Sequence, residues 1–234
     1  MDSKNFILFQ YDAVLLYKDA LTNDEVEASF EKLVKVKHFD GAKKISKDDD
    51  GAEVTLTSAD NKFVLSYSSK SELFVSFTNR SLSVDVTSEI EVVNSLLLEA
   101  NATIGGGTIS MVRSRQTMFS PKSADKKHLT ATVINKDYLS DLDNLEVDFT
   151  FDEPDVARKP VDSWVRLSYQ HTTEMHKVIE SLNKESILDK LIVLYVDVGY
   201  YEFPTPNQAA KFLDTKVDYQ TSFRILERFG YGKR

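Results

Sequence analysis

Hydrophobic and polar residues alternate along this chain in short runs, and the period of the alternation switches between two and about 3.6 several times. Residues 6–17 read as a strand, with Ile7, Phe9, Tyr11, Ala13 and Leu15 on one side and Gln10 and Asp12 on the other. A helix follows. Thr22 and Glu25 have capping-box spacing, and Val26, Phe30, Leu33 and Val34 recur on one helical face that ends near His38, before Gly41. Asp48-Asp49-Asp50-Gly51 predicts a hairpin turn, because Asp-Gly supplies the positive φ values that tight turns require.

Four alternating groups come next: Val54 with Leu56; Phe63, Leu65 and Tyr67; Leu73, Val75 and Phe77; Leu82, Val84 and Val86. They predict an antiparallel meander with one wet face. Ser88 and Glu91 repeat the capping-box spacing and open a helix with Ile90, Val93, Leu97 and Ala100 inward, which Gly105-Gly106-Gly107 ends. Residues 108–118 return as a strand.

The polar stretch 120–127, with Pro121, is the best candidate boundary and divides an N-terminal half, 1–121, from a C-terminal half, 122–234. One continuous domain fits the length as well. Beyond the boundary, residues 129–134 read as a strand, and Leu145, Val147, Phe149 and Phe151 alternate with acidic or hydroxyl residues. Residues 164–171 read as a strand and 173–188 as a helix. Residues 191–203 form a strand apolar on both sides, hence central, and Thr205-Pro206 opens a last helix. The expected class is α+β, mainly antiparallel sheets with about four helices packed on them. Two ferredoxin-like halves are one arrangement that fits this order, without a sequence repeat.

Composition narrows the classes. The 234 residues are 41% hydrophobic and 28% charged, enough apolar surface to offset the entropy of ordering the chain. No apolar run approaches the roughly 20 residues that span a bilayer, and Gln10, Tyr11 and Asp12 interrupt what would be a signal-peptide core, so no membrane association and a cytoplasmic location are expected. The absence of cysteine removes disulfides, thiolate metal sites and cysteine nucleophiles.

A net charge of -8 lowers the expectation of a nucleic-acid partner. That charge is unevenly spread. Lys35, Lys37, His38, Lys43 and Lys44 crowd residues 32–47, whereas residues 137–155 hold Asp141, Asp143, Glu146, Asp148, Asp152 and Glu153 with no basic residue. Opposite patches can steer a protein partner, or a second copy of the chain.

Known catalytic patterns fit poorly. His171 and His176 are five apart, where a zinc helix needs four; the aspartate run lacks the ligand order of a calcium loop; and the glycine triplet joins helix to strand, the reverse of a phosphate-binding turn. No G-x-S-x-G elbow occurs. No metal or cofactor is expected.

The remaining candidates are charged or aromatic residues on strands. Asp197 interrupts the series Leu191, Val193, Tyr195, and a carboxylate within a central strand demands a partner. Arg113 and Arg115 share one side of their strand and could grip a carboxylate or phosphate, or pair with Asp197. Trp164 and Arg166 share a side of another strand, and both types are enriched at protein-binding hot spots. These five are the candidate binding residues. The expectation is a non-enzymatic binding, adaptor or regulatory protein acting through protein-protein contacts. The alternatives are a small hydrolase or nuclease using Asp197, and an RNA-binding protein of tandem ferredoxin-like design.

Overall fold

Strand β1, Ile7–Tyr17, lies in the middle of the sheet, and the rest of the fold is arranged about it. A computed structural model describes residues 6–19, 21–49, 51–83, 85–120, 145–149, 162–170, 173–183 and 191–201. After β1 come helix α1 (Asn23–Leu33), strands β2 (Lys43–Asp48), β3 (Gly51–Thr57), β4 (Phe63–Ser68) and β5 (Glu72–Thr78), helix α2 (Thr87–Ile104) and strand β6 (Ile109–Ser120). Strands β7 (Leu145–Phe149) and β8 (Asp162–Gln170), helix α3 (Thr173–Asn183) and strand β9 (Leu191–Tyr201) follow. All nine strands join one sheet in the order β2-β3-β4-β5-β1-β6-β9-β8-β7, and every pairing is antiparallel.

The α+β class with antiparallel sheet therefore holds. Three helices lie among the described residues; the expected fourth, from Thr205, falls outside them. Strand β5 lies between β1 and β4 and runs antiparallel to both, so β1 and β4 point the same way with a strand between them, as the crossover strands of a split βαβ unit do.

Capping explains where α1 begins. The Thr22 side chain accepts from the Glu25 backbone and the Glu25 carboxylate accepts from the Thr22 backbone at 2.8 Å, the reciprocal box that the spacing predicts. The second predicted box is absent. Helix α2 starts at Thr87 behind Val86 with no side-chain cap, and the exposed Asp85 accepts from the Thr87 amide at 3.1 Å. At its other end Gly105 takes the left-handed conformation, φ 88°, and stops the helix.

Helices α1 and α2 cover one face of the sheet. Val26 and Leu33 of α1 and Ile90, Val93, Leu97 and Ala100 of α2 pack there on Tyr11, Leu15, Val54, Leu65 and Val75, all fully buried. Each such aliphatic side chain contributes about 1.5–3 kcal/mol relative to exposure. Two polar contacts tie helix to strand inside this core: Tyr11 donates to Asn94 at 3.1 Å and Tyr17 to Asn101 at 2.7 Å.

The expected single face for Ile7, Phe9, Tyr11, Ala13 and Leu15 needs correction. Pairing of β1 with β6 skips at Phe9, a β-bulge that reverses the alternation. Phe6 and Leu8 consequently join Tyr11, Ala13 and Leu15 in the main core, whereas Ile7 and Phe9 pack on the opposite face with Phe119, Val193, Met175 and Val178. Met175 and Val178 belong to α3, so α3 sits on the face away from α1 and α2.

The strand expected at Leu82, Val84 and Val86 is also absent among the described residues. Leu82 has φ 52°, and the chain winds around the buried amide of Asn79. Conversely, Lys43–Asp48 is a strand at the sheet edge with exposed lysines, which the polar sequence concealed.

Candidate functional site

One rung of the sheet gathers most of the candidate residues. The registers align Ser76 of β5, Asp12 of β1, Arg115 of β6, Asp197 of β9 and Trp164 of β8 across five adjacent strands. Arg113 stands one rung away, between Val14 and Gly199, and Arg166 one rung in the other direction, opposite Tyr195. Ser76, Asp12, Arg113, Arg115, Asp197 and Arg166 belong to the face away from α1 and α2. Residues two apart on a strand share a side, so the Arg113 and Arg115 spacing brings both guanidinium groups here.

Asp197 is the hub. The Arg113 Nε lies 3.3 Å from Oδ1 and its Nη1 donates to Oδ2 at 3.3 Å, while the Arg115 Nε lies 3.5 Å from Oδ2. Arg115 reaches further, its Nη1 3.4 Å from Glu72 Oε1. The expected pairing of Asp197 with an arginine is thus present, and both arginines take part. The Asp197 side chain is 12% exposed against 20% for Arg113 and 29% for Arg115, so water screens the pairing only partly.

Asp12 completes the rung. The Gln10 amide donates to its Oδ1 at 2.9 Å and Oδ2 at 3.2 Å. Burial raises the Asp12 carboxyl above its ordinary value, outweighing the bonds from Ser76 and Gln10 and the attraction of Arg115. Burial, and then the nearby Asp197 carboxylate, push the Tyr195 phenol up to about 12.

The pH dependence follows with a definite sign. A raised carboxyl binds its proton more tightly folded than unfolded, so its contribution is fully present below about 3.8 and is lost as pH rises through the folded value. Asp12→Asn lacks that loss. Thermal denaturation at several pH values should show the stability difference, variant minus parent, moving in the variant's favour between pH 4 and 7. A constant difference over that range would contradict the raised pKa.

Beside this network, on the same face, the strands β2 to β5 frame a shallow groove of about 220 Å³ lined by Ser46, Glu53, Ser66, Ser68, Glu72 and Phe74, among others. The Ser66 hydroxyl donates to Glu53, and Glu72 joins the groove to Arg115. Phe74 is half-buried, an aromatic surface on a polar face.

Of the five candidates, Arg113, Arg115 and Asp197 are in direct contact. The backbone of Trp164 stands opposite Asp197, and Arg166 is half-buried opposite Tyr195. Sequence reasoning missed Asp12, Glu72 and the groove. Asp12 carried a signal, being polar on an apolar strand; Glu72 carried none.

His38 is exposed with its ring 6.3 Å from that of Phe63, His176 is buried on α3, and His128 and His171 lie outside the described residues. Among the described residues no group of three or more acidic or imidazole side chains could hold a metal, and no helix is long and apolar enough to cross a membrane. Compared with protein-family models the chain matches none, and no curated protein matches it.

Proposed function

We propose that this chain is a non-enzymatic binding protein, an adaptor or regulatory component in the cytoplasm, that engages a protein partner through the sheet face away from α1 and α2. The observation that carries the reading is the composite surface there: a groove with an aromatic wall at Phe74, continuous with a charge network in which Asp197, Arg113, Arg115 and Glu72 already hold one another. Charged groups that arrive paired lose less on desolvation than isolated ones, so such a face can be covered at modest cost. A half-buried phenylalanine amid polar residues supplies an apolar anchor of the kind that dominates binding energy.

Phe74→Ala tests the reading. Proteins retained by the immobilised wild-type chain from extracts of its source cells should be lost with the variant, at least about tenfold by quantitative mass spectrometry, which corresponds to one buried aromatic anchor. An unchanged set of retained proteins, in a variant shown to fold, would defeat the proposal. So would turnover of ester or phosphodiester substrates by the pure chain in metal-supplemented buffer.

Less supports the alternatives. A hydrolase centred on Asp197 would need a carboxylate available to substrate, and both of its oxygens face guanidinium groups. The RNA reading has less charge behind it, because the lysine-rich stretch is spread over the end of α1, the turn after it and edge strand β2. Lys47 is moreover paired with Glu27 at 2.8 Å.

A further inference from the structure

We infer that copies of this chain associate head to tail, the β7 edge of one sheet pairing in parallel with the β2 edge of the next. Among the described residues these two strands are the ends of the sheet. Nine strands is an odd number, and every neighbour is antiparallel, so β2 and β7 run in the same direction. Joining opposite edges while keeping the faces continuous therefore creates a parallel pair. Joining like edges through a twofold axis creates an antiparallel one.

Charge decides between these arrangements. The exposed β2 carries Lys43, Lys44 and Lys47 against a single acid, Asp48, with Lys35 and Lys37 just before it. In sequence β7 is Leu-Glu-Val-Asp-Phe, inside a stretch, 137–155, without a basic residue. Two β2 edges would set lysines against lysines, and two β7 edges carboxylates against carboxylates. Like charges directly across a strand pair are destabilising and opposite charges stabilising. The β2 to β7 contact alone is complementary.

The face on which each edge position stands adds a second match. Ile45 stands opposite Val54, a main-core residue, and at 42% exposed it is the large hydrophobic residue left open to solvent among the described residues. Val147 stands opposite Leu167 and Leu167 opposite Leu194, also of the main core. A continuous sheet thus puts the Ile45 and Val147 positions on one face, and Lys44 with the Glu146 and Asp148 positions on the other. Such a heterologous contact closes into a ring if its rotation allows and otherwise grows as a filament.

Sedimentation equilibrium with the full chain tests this. The wild-type chain should gain mass with concentration at low salt and lose it as salt screens the edges, the Debye length falling from about 30 Å at 0.01 M to about 3 Å at 1 M. Lys44→Glu and Glu146→Lys should each weaken association by about tenfold or more, and the double variant, with the charges exchanged, should recover it. Glu146 is chosen because it stands opposite Ser168, whereas Asp148 stands opposite Arg166. A chain that stays monomeric at every concentration overturns the inference, and this is also the result if another part of the same chain covers β7. So does self-association that the single variants leave unchanged, or that the double variant fails to restore while circular dichroism shows it folded.

Discussion

Replacing Asp197 by alanine should lower the free energy of unfolding by about 3–5 kcal/mol, because it strands two guanidinium groups that have already left much of their water. The exposures set this magnitude. Surface pairs are worth about 0–1 kcal/mol, but a carboxylate 12% exposed between arginines 20% and 29% exposed is closer to the buried case. Urea denaturation at neutral pH measures the loss, and Asp197→Asn should cost less, since an amide oxygen still accepts from one arginine. Arg113→Met in the alanine background should recover part of the stability by removing one uncompensated charge. A loss below about 1 kcal/mol would mean that the network behaves as a solvated surface cluster.

Asn79→Ala carries the second large effect, about 3 kcal/mol, from a loop rather than from an ion pair. Asn79 is 1% exposed; its amide nitrogen donates to the Leu8 and Ser83 carbonyls, each at 2.8 Å, and its oxygen accepts from the Ser83 amide at 3.1 Å and the Ser81 hydroxyl at 3.2 Å. Alanine leaves these groups without their partner, and each buried group so orphaned costs about 1–3 kcal/mol. Asn79→Asp should be nearly as damaging, because it keeps the acceptor but loses both donated bonds and buries a charge. The melting temperature and hydrogen exchange at the Ser83 amide report the effect. Retention of full stability by the alanine variant would show that the loop satisfies its own backbone.

The same two positions mark where sequence reading succeeded and where it stopped. Asp197 was legible because a carboxylate in an apolar strand must find a partner, and Arg113 and Arg115, two apart, were the cations placed to supply it. Their joint contact depends on which strands become neighbours. That neighbour relation, β6 beside β9, is set by pairing between segments more than 70 residues apart, and no local period encodes it. Leu82, Val84 and Val86 show the opposite failure. Their alternation has the strand period, yet one buried amide at Asn79 binds the nearby backbone more favourably than another strand would.

Phe9 is a third case. Up to Leu8 the alternation of β1 is one pattern and from Gln10 another, so a single period-two reading across residues 6–17 assigns one end to the wrong face. The bulge is a pairing property of β1 with β6, invisible in either strand alone. Edge strand β2 escaped notice for a related reason: an edge needs only one partner and keeps its lysines in water, so hydrophobic periodicity had little to record.

The two tyrosine-to-asparagine bonds beneath the sheet constrain how this protein can move. Asn94 and Asn101 are seven residues apart, two turns, and each is fastened to a different point of β1. A ratchet of α2 by one turn, about 5.4 Å, would break both fastenings together. Helix α2 and β1 are therefore fixed to one another, the stator against which any moving part is referenced.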